Sequence, residues 1–210
     1  PWPMIAAAIA VSRSLCVITG GPGTGKTTLV VKILALLLGQ EPGLRIALAA
    51  PTGKAAHRIA EAVQRGVAHL DSDAGIKDRI PREASTIHRL LGLGSGTRAR
   101  NRQAGKTLTA DVVVIDEASM ADLALMATLA GALGDDARLV LLGDRNQLAS
   151  VAAGYVLGDI CDTGGVHAYS TGFADMASRV TGITVPSGGS AGMQDSVVEL
   201  TRTYRFREDS

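Results

Sequence analysis

The chain lacks features that mark several large classes of protein. Aromatic residues make up only 3% of its 210 residues, so few rings are available for stacking on nucleic-acid bases. Only two cysteines occur, Cys16 and Cys161, and we expect both to be reduced and buried, which excludes a disulfide scaffold. No apolar run approaches the roughly 18 to 20 residues of a membrane span. The net charge of +1 provides no overall attraction to DNA. We therefore expect a cytoplasmic protein in which any nucleic-acid contacts come from local patches.

Hydrophobic residues are abundant instead, at 46% of the chain, and with so few aromatics the core is expected to be aliphatic. A chain of this length and composition predicts a single domain. The opening segment PWPMIAAAIAVS ends in small residues, as signal peptides do, but no basic segment precedes it. Because it leads directly into the apolar run Leu15 to Gly20, we interpret it as a helix that covers a strand.

Short aliphatic runs alternate with helical patterns along the chain. The expected strands are Leu15 to Thr19, Arg45 to Ala50, Val112 to Asp116 and Arg138 to Leu142. The expected helices are Lys26 to Leu38, Lys54 to Val67 and Met120 to Leu133. This alternation predicts an α/β fold with a doubly wound, mainly parallel sheet and helices on both faces. Ligands are then expected at the carboxyl edge of the sheet.

The loop after the first run has the phosphate-binding pattern G-x-x-x-x-G-K-[ST]. It reads GGPGTGKTT from Gly20 to Thr28, between an expected strand and an expected helix. Glycines let backbone N–H groups surround phosphate oxygens, and the helix N-terminus adds its positive dipole end. We expect Lys26 to reach the β and γ phosphates and Thr27 to ligate Mg²⁺. The nucleotide-binding residues are then Gly21, Gly23, Thr24, Gly25, Lys26, Thr27 and Thr28.

Two further strand ends offer the groups that hydrolysis requires. Asp116 and Glu117 are adjacent and cannot share one role, so we expect Asp116 to bind Mg²⁺ and Glu117 to act as general base. Gln147 follows the run RLVLLG and is a candidate sensor of the γ-phosphate, although a simple polar turn is an alternative. Ser119 with Asp122 predicts a capping box that starts the next helix.

Two other segments repeat the strand, turn and helix pattern without a complete phosphate loop. Thr52 and Lys54 lie in AAPTGKAA, and Thr86 and His88 lie in STIHR. Hydroxyl groups, cations and N–H groups at a helix start are typical contacts of nucleic-acid phosphates. Thr52 and the N–H groups at the helix start suit a phosphodiester, and His88 and Arg89 are possible nucleic-acid contacts, with a purely structural histidine as an equal alternative for His88.

Three segments carry weaker signals. Arg98 to Lys106 reads as an exposed basic loop, which is either a nucleic-acid contact or only a solvated loop. Thr163 to Gly192 is rich in Gly, Ser and Thr and predicts a mobile surface insertion within the single domain 1–210. Val197 to Thr201 is strand-like, and Arg205 lies just beyond it between Tyr204 and Phe206. An arginine held in this way either contacts a γ-phosphate or lies at the surface.

Six segments, in this order, resemble the motifs of superfamily-one DNA helicases of the RecD family, the alpha subunit of exodeoxyribonuclease V. They are GGPGTGKTT, LAAPTGKAA, STIHRLLG, VVVIDEASM, LLGDRNQLASV and TYRF. The resemblance implies a RecA-like P-loop motor domain that uses ATP and Mg²⁺ to move 5′-to-3′ on single-stranded DNA in recombinational repair and DNA end processing. It also implies partner helicase and nuclease subunits.

The resemblance also assigns roles by position. It makes Lys26, Glu117, Gln147 and Arg205 catalytic, Thr27 and Asp116 the metal residues, and Thr52, Lys54, Thr86 and His88 the DNA contacts. One departure concerns the base: the family commonly has a glutamine after the early tryptophan, whereas Trp2 is followed here by Pro3. Specificity for adenine therefore rests on the resemblance alone.

The sequence stops at Ser210, soon after TYRF, so we expect the second motor domain to be absent. Because motors of this type hydrolyse ATP in a cleft between two domains, we expect nucleotide binding, slow hydrolysis at best and no unwinding by this piece alone. Two alternatives stay open: a fragment that binds nucleotide and DNA without turnover, and a P-loop small-molecule kinase. A kinase would not need Glu117 beside Asp116, followed by Gln147, since these groups suit attack by water.

Overall fold

The computed structural model describes residues 2–93, 107–147, 156–162, 167–189 and 192–202. Helices and strands alternate along most of this part of the chain. The helices are α1 (Trp2–Ser12), α2 (Lys26–Gln40), α3 (Gly53–Ala68), α4 (Ala74–Arg79), α5 (Ile87–Leu90), α6 (Leu123–Ala132), α7 (Val156–Cys161) and α8 (Thr171–Thr181). The strands are β1 (Leu15–Gly20), β2 (Ile46–Ala50), β3 (Ser85–Thr86), β4 (Val112–Ile115), β5 (Arg138–Gly143), β6 (Tyr169–Ser170), β7 (Ser187–Gly189) and β8 (Val197–Leu200). Two 3-10 turns cover Ala118–Met120 and Met193–Ser196.

Six strands form one sheet in the order β3-β2-β4-β5-β1-β8, and every pairing in it is parallel. Each of the four strands expected from the aliphatic runs is present, with ends that differ by one residue. From β1 the chain passes to β2 and β3 at one edge, returns through β4 and β5, which lie between β2 and β1, and ends with β8 on the other side of β1. The prediction of a doubly wound α/β fold of the RecA-like P-loop type is confirmed, and the loops after the strands meet at one edge.

The core lies on both faces of the sheet because side chains alternate along each strand. On β1, Cys16 and Ile18 face the layer formed by α1, α2, α3 and α8, whereas Val17 faces the layer that contains α6 and α7. Both cysteines are free and buried, as expected, and burial raises the pKa of the Cys16 thiol to about 12. Neither thiol is therefore ionised near neutral pH.

Helix α1 covers β1, as its apolar sequence predicts. Ile5 and Ile9 are 1% and 0% exposed, and both belong to the core that includes Cys16 and Ile18. Arg138 at the start of β5 donates to the carbonyl of Val11 (2.7 Å), which ties the end of the helix to the sheet. Among the helices in the described part of the chain, none has the length and apolarity needed to cross a membrane.

The described part of the segment Thr163 to Gly192 is more buried than the mobile surface insertion that its composition predicts. Its described part contains α8, and Tyr169 and Phe173 are buried in the core. The Tyr169 hydroxyl donates to the carbonyl of Val197 (3.0 Å), and Asp195, which is 1% exposed, accepts from the Ser170 hydroxyl (2.6 Å). The buried side chains of Tyr169 and Phe173 therefore attach the described part of this segment to the core, although its average composition is that of a loop.

Candidate functional site

The loop after β1 has the shape that phosphate binding requires. Gly23 and Gly25 have φ values of 79° and 83°, in the left-handed region that glycine adopts without steric cost. Gly20 is needed for another reason, since an added Cβ would lie 2.7 Å from the carbonyl oxygen of Leu200 in β8. The hydroxyl of Thr24, which is buried, donates to the carbonyl of Gly21 (2.9 Å) and closes the turn. Helix α2 begins directly afterwards at Lys26, so its N-terminus points at the loop.

Lys26 lies at the centre of the loop. Its ammonium donates to the carbonyls of Gly20 (2.5 Å) and Gly21 (3.0 Å). Burial lowers the pKa of Lys26, and nearby Asp144, Asp116 and, more weakly, Glu117 oppose this change. The lysine is thus a half-buried cation beside three carboxylates, a position from which it can compensate added phosphate charge.

Asp116 and Glu117 extend beyond the end of β4. The backbone N–H of Asp116 donates to the carbonyl of Ala49 (2.9 Å), and that of Glu117 donates to the Asp116 carboxylate (2.9 Å). Burial raises the pKa of Asp116, although the bond from Glu117 opposes the change. Glu117 has φ 53° and ψ 39°, and no other non-glycine residue in the described ranges has a positive φ. This conformation is uncommon for a side chain of that size and turns the glutamate away from the direction of the strand.

A single open groove of about 960 Å³ joins these groups. The phosphate loop from Pro22 to Thr28 forms one end, and Asp116 and Glu117 lie beside it. The face of α3 that carries Arg58 and Arg65 lines the same groove. Lys26, Thr27, Asp116 and Glu117, which the sequence assigns to one site, therefore line the same space. The Thr27 hydroxyl and the Asp116 carboxylate are hard oxygen donors of the kind that Mg²⁺ prefers.

Gln147 follows β5 at the same edge and is held by a residue that the sequence analysis missed. The Ser119 hydroxyl donates to the Gln147 side-chain oxygen (2.9 Å). Gly143 allows close packing here, because an added Cβ would clash with Leu157 Cδ2 and lie 3.2 Å from the backbone nitrogen of Ser119. The spacing of Ser119 and Asp122 predicted that Ser119 starts the following helix, and this is wrong. Asp122 itself caps α6 by accepting from the N–H of Leu125 (2.6 Å). No local signal reveals the pair, since its members are 28 residues apart.

The turn that carries Gln147 is fixed from two other strands. The Thr19 hydroxyl at the end of β1 accepts from the backbone N–H of Arg145 (3.0 Å). The Arg145 guanidinium forms an ion pair with Glu199 of β8 (3.2 Å). The Gln147 N–H donates to the carbonyl of Asp144 (3.1 Å), which closes the turn. The three strand ends are therefore connected through a single turn.

The four residues assigned to nucleic acid lie at the ends of β2 and β3, which are neighbours in the sheet. Thr52 caps α3 by accepting from the N–H of Ala55 (3.2 Å), and Thr86 caps α5 by accepting from Arg89 (3.2 Å). Lys54 and His88 are exposed, and their side chains make no hydrogen bond or ion pair with other described residues. The threonines thus have a structural role that their spacing signals locally.

Arg205 and the basic segment Arg98 to Lys106 lie outside the described residues.

Comparison with known proteins gives matches over most of the chain. The AAA domain family matches residues 4–153. The chain is 53% identical over 164 residues to the RecBCD enzyme subunit RecD of Mycobacterium tuberculosis, a match that covers 75% of this chain and 28% of that protein. It is 40% identical over 144 residues to the ATP-dependent RecD2 DNA helicase of Deinococcus radiodurans, covering 68% of this chain and 17% of that protein.

Among solved structures, the Pif1 helicase of Candida albicans has the same fold. It superposes with a TM-score of 0.50 at 19% sequence identity, over 99% of this chain and 41% of that chain. The chain spans less than a third of the length of the two curated relatives described above. The similarity therefore concerns one portion of much longer proteins.

Proposed function

Because the chain belongs to the AAA domain family and is a motor domain of the RecD type in helicase superfamily one, we propose that it binds and hydrolyses ATP to drive a 5′-to-3′ DNA helicase. The DNA would be single-stranded and the setting recombinational repair and DNA end processing. The observation that carries the proposal is the groove in which the phosphate loop, Asp116 and Glu117 lie together. The name of the Deinococcus radiodurans relative, an ATP-dependent DNA helicase, supports it.

In this proposal each of the groove residues Lys26, Thr27, Asp116 and Glu117, and Gln147 at the same edge of the sheet, has one task. Lys26 exchanges its bonds to the loop carbonyls for bonds to the β and γ phosphates, and the loop N–H groups bind the phosphate oxygens. Thr27 and Asp116 would hold Mg²⁺, which would neutralise charge on the phosphates. Glu117 orients the attacking water and takes its proton. Gln147 contacts the γ-phosphate or the water, in an orientation fixed by Ser119.

The remaining assignments concern DNA and the arginine near the end of the chain. We assign Thr52, Lys54, Thr86 and His88 to contacts with the backbone of single-stranded DNA, supported by their position at one exposed edge. Arg205 is assigned to the γ-phosphate through its position in TYRF.

Partners follow from the relatives rather than from the geometry. Since the Mycobacterium tuberculosis relative is a RecBCD enzyme subunit, we assign this chain to a complex of the exodeoxyribonuclease V type with helicase and nuclease subunits. The proposed location is the cytoplasm, where the two free, buried thiols would stay reduced.

The experiment that tests the proposal is hydrolysis of ATP by the purified chain with Mg²⁺, measured with and without single-stranded DNA. We expect Glu117→Gln to abolish turnover while nucleotide binding is retained. Glu61→Gln is the matched control, because Glu61 is also an acidic residue that lines the groove, but on α3. Turnover that survives Glu117→Gln would contradict the assignment of the general base.

The same measurement separates the alternatives. Nucleotide and DNA binding without turnover would identify a binding fragment whose catalysis needs groups from elsewhere in the whole protein. Phosphate transfer to an added acceptor, without release of free phosphate, would identify a kinase. DNA-stimulated release of phosphate to water is the result that the arrangement of Glu117 and Gln147 predicts.

A further inference from the structure

We propose that Arg58 of α3 contacts the terminal phosphate of the bound nucleotide and so distinguishes the triphosphate from the diphosphate. This inference rests on the proposed function. Arg58 is not among the residues that the motifs assign to the nucleotide, yet it lines the same groove as the phosphate loop, from helix α3.

The position of Arg58 along the axis of α3, relative to Lys26 on α2, follows from the packing of these two helices. Helices α2 and α3 both leave the carboxyl edge of a parallel sheet and pack on the same face, so they run in the same direction. They are in close contact at Gly66, where an added Cβ would lie 2.9 Å from Val31 Cγ2. From this contact, Lys26 lies five residues back along α2, or about 7.5 Å at 1.5 Å per residue. Arg58 lies eight residues back along α3, or about 12 Å.

Arg58 is thus at the level of the phosphate loop, with its Cα about 4 to 5 Å beyond that of Lys26 toward the carboxyl edge. The end of β4, with Asp116 and Glu117, lines the groove between the two helices. A phosphate bound by Lys26 and close to Glu117 would therefore have Arg58 on its far side.

Arg65 provides an internal comparison. It lies seven residues after Arg58, about two turns along α3, so both side chains leave the same face and line the same groove. However, Arg65 is next to Gly66 and therefore at the level of Val31, about 6 Å below Lys26. The two arginines share exposure and charge and differ mainly in their level relative to the phosphate loop.

The guanidinium of Arg58 is available for a ligand. Arg58 is exposed, and its side chain forms no hydrogen bond or ion pair with any other residue in the described ranges. The nearest acidic residue on the same helix face, Glu61, is paired with His57 instead (3.2 Å). The planar fork of an arginine suits two oxygens of one phosphate, and the transition state of phosphoryl transfer has its charge spread over the three outer oxygens of the transferring group. Arg58 would thus stabilise both the bound triphosphate and its transition state.

The test measures calorimetrically how the purified chain binds ADP and a non-hydrolysable ATP analogue, both with Mg²⁺. We expect Arg58→Ala to weaken binding of the analogue about tenfold or more, as for a lost hydrogen bond to a charged group, and binding of ADP by less than about twofold. Arg65→Ala should change neither affinity by more than about twofold. Arg58→Lys, which keeps the charge but loses the fork, should fall between wild type and Arg58→Ala for the analogue.

The outcomes separate this inference from the proposed function. If the wild-type chain binds both nucleotides and Arg58→Ala leaves the ratio of the two affinities unchanged, the inference is overturned and the proposed function stays intact. An equal loss in Arg58→Ala and Arg65→Ala also overturns it, because general electrostatic attraction would then explain the effect. Failure of the wild-type chain to bind either nucleotide overturns both. Unchanged ADP binding by Arg58→Ala shows that the variant is folded.

Discussion

The two halves of the carboxyl edge of the sheet are built in different ways. At the ends of β1 and β4, Lys26 and Asp116 are partly buried and burial shifts the pKa of both, and after β5 the side chain of Gln147 is held by a hydrogen bond from Ser119. At the ends of β2 and β3, Thr52 and Thr86 cap helices, while Lys54 and His88 extend into solvent. The difference shows which half of the edge needs side chains that are held in position before a ligand binds. Phosphoryl transfer requires fixed groups, whereas a mobile polyanion can be held by exposed charge.

The strongest test of this comparison is Lys26→Ala. The loss of a half-buried cation from the phosphate loop should weaken nucleotide binding about 100-fold or more, since Lys26 would make at least two bonds to charged oxygens. The affinity for single-stranded DNA should stay within about twofold. Binding of labelled nucleotide and labelled DNA measures both. Lys32→Ala is the control, because Lys32 is on the same helix and lines the same groove. Equal loss of DNA binding would show that the two halves are not separate.

Asp116→Asn should weaken nucleotide binding and stabilise the ligand-free protein. The variant should lose Mg²⁺-dependent nucleotide binding, because a carboxylate ligand is removed. Burial raises the pKa of Asp116 above its value in the unfolded chain, so the ligand-free protein loses stability as the pH rises through that raised pKa. An asparagine has no such loss. At pH 8 the variant should therefore melt at a higher temperature than wild type, and the gap should narrow as the pH is lowered. A lower melting temperature for the variant at pH 8 would contradict this account.

At the outer half of the edge, Thr52→Ala tests whether the threonine is structural. Removal of the cap should lower the free energy of unfolding by about 0.5 to 2 kcal/mol, and Thr52→Ser should restore most of it. Denaturant unfolding measures this change, and DNA binding by the folded variants is compared at the same time. If Thr52→Ala leaves stability unchanged, the residue is not the cap that the structure describes.

Ser119→Ala examines the bond that holds Gln147. We expect turnover to fall about 2- to 10-fold, the value of one net hydrogen bond, while nucleotide affinity is unchanged. The readout that excludes a general packing effect is a double-mutant cycle with Gln147→Ala. If Ser119 acts through Gln147, its removal should have no further effect once the glutamine is gone. Additive losses would mean that the serine acts by another route.

The smallest expected effect is that of Lys54→Ala on DNA. Loss of one phosphate contact should reduce affinity for single-stranded DNA a few-fold at moderate salt. The slope of log affinity against log salt should become less steep by about 0.7. Lys54→Arg retains the charge and should keep the slope. An unchanged slope in Lys54→Ala would remove this residue from the DNA surface and weaken the contrast between the two halves.

The sequence predicts a feature well when the residues that form it lie close together in the chain, and poorly when they are far apart in sequence. The strands and the phosphate loop are local patterns, and the structure has them where they were expected. The Ser119–Gln147 bond and the position of Arg58 in the same groove as the phosphate loop depend on how segments distant in sequence pack together, so no local spacing reveals them. The segment around α8 was misjudged because two buried aromatics, Tyr169 and Phe173, carry its packing while its average composition is that of a loop.

The sheet order also has a consequence for how the protein is made. Strand β1 is synthesised before the other described strands, yet its neighbours are β5 and β8, in which Leu15 pairs with Leu139 and Val17 with Val197. Until those late segments have been synthesised, both edges of an apolar strand lack their partners. Such long sequence separations slow folding and leave a nascent chain open to wrong pairing. The nucleotide loop, which follows β1 directly, is therefore among the last parts of the described fold that can take their final shape.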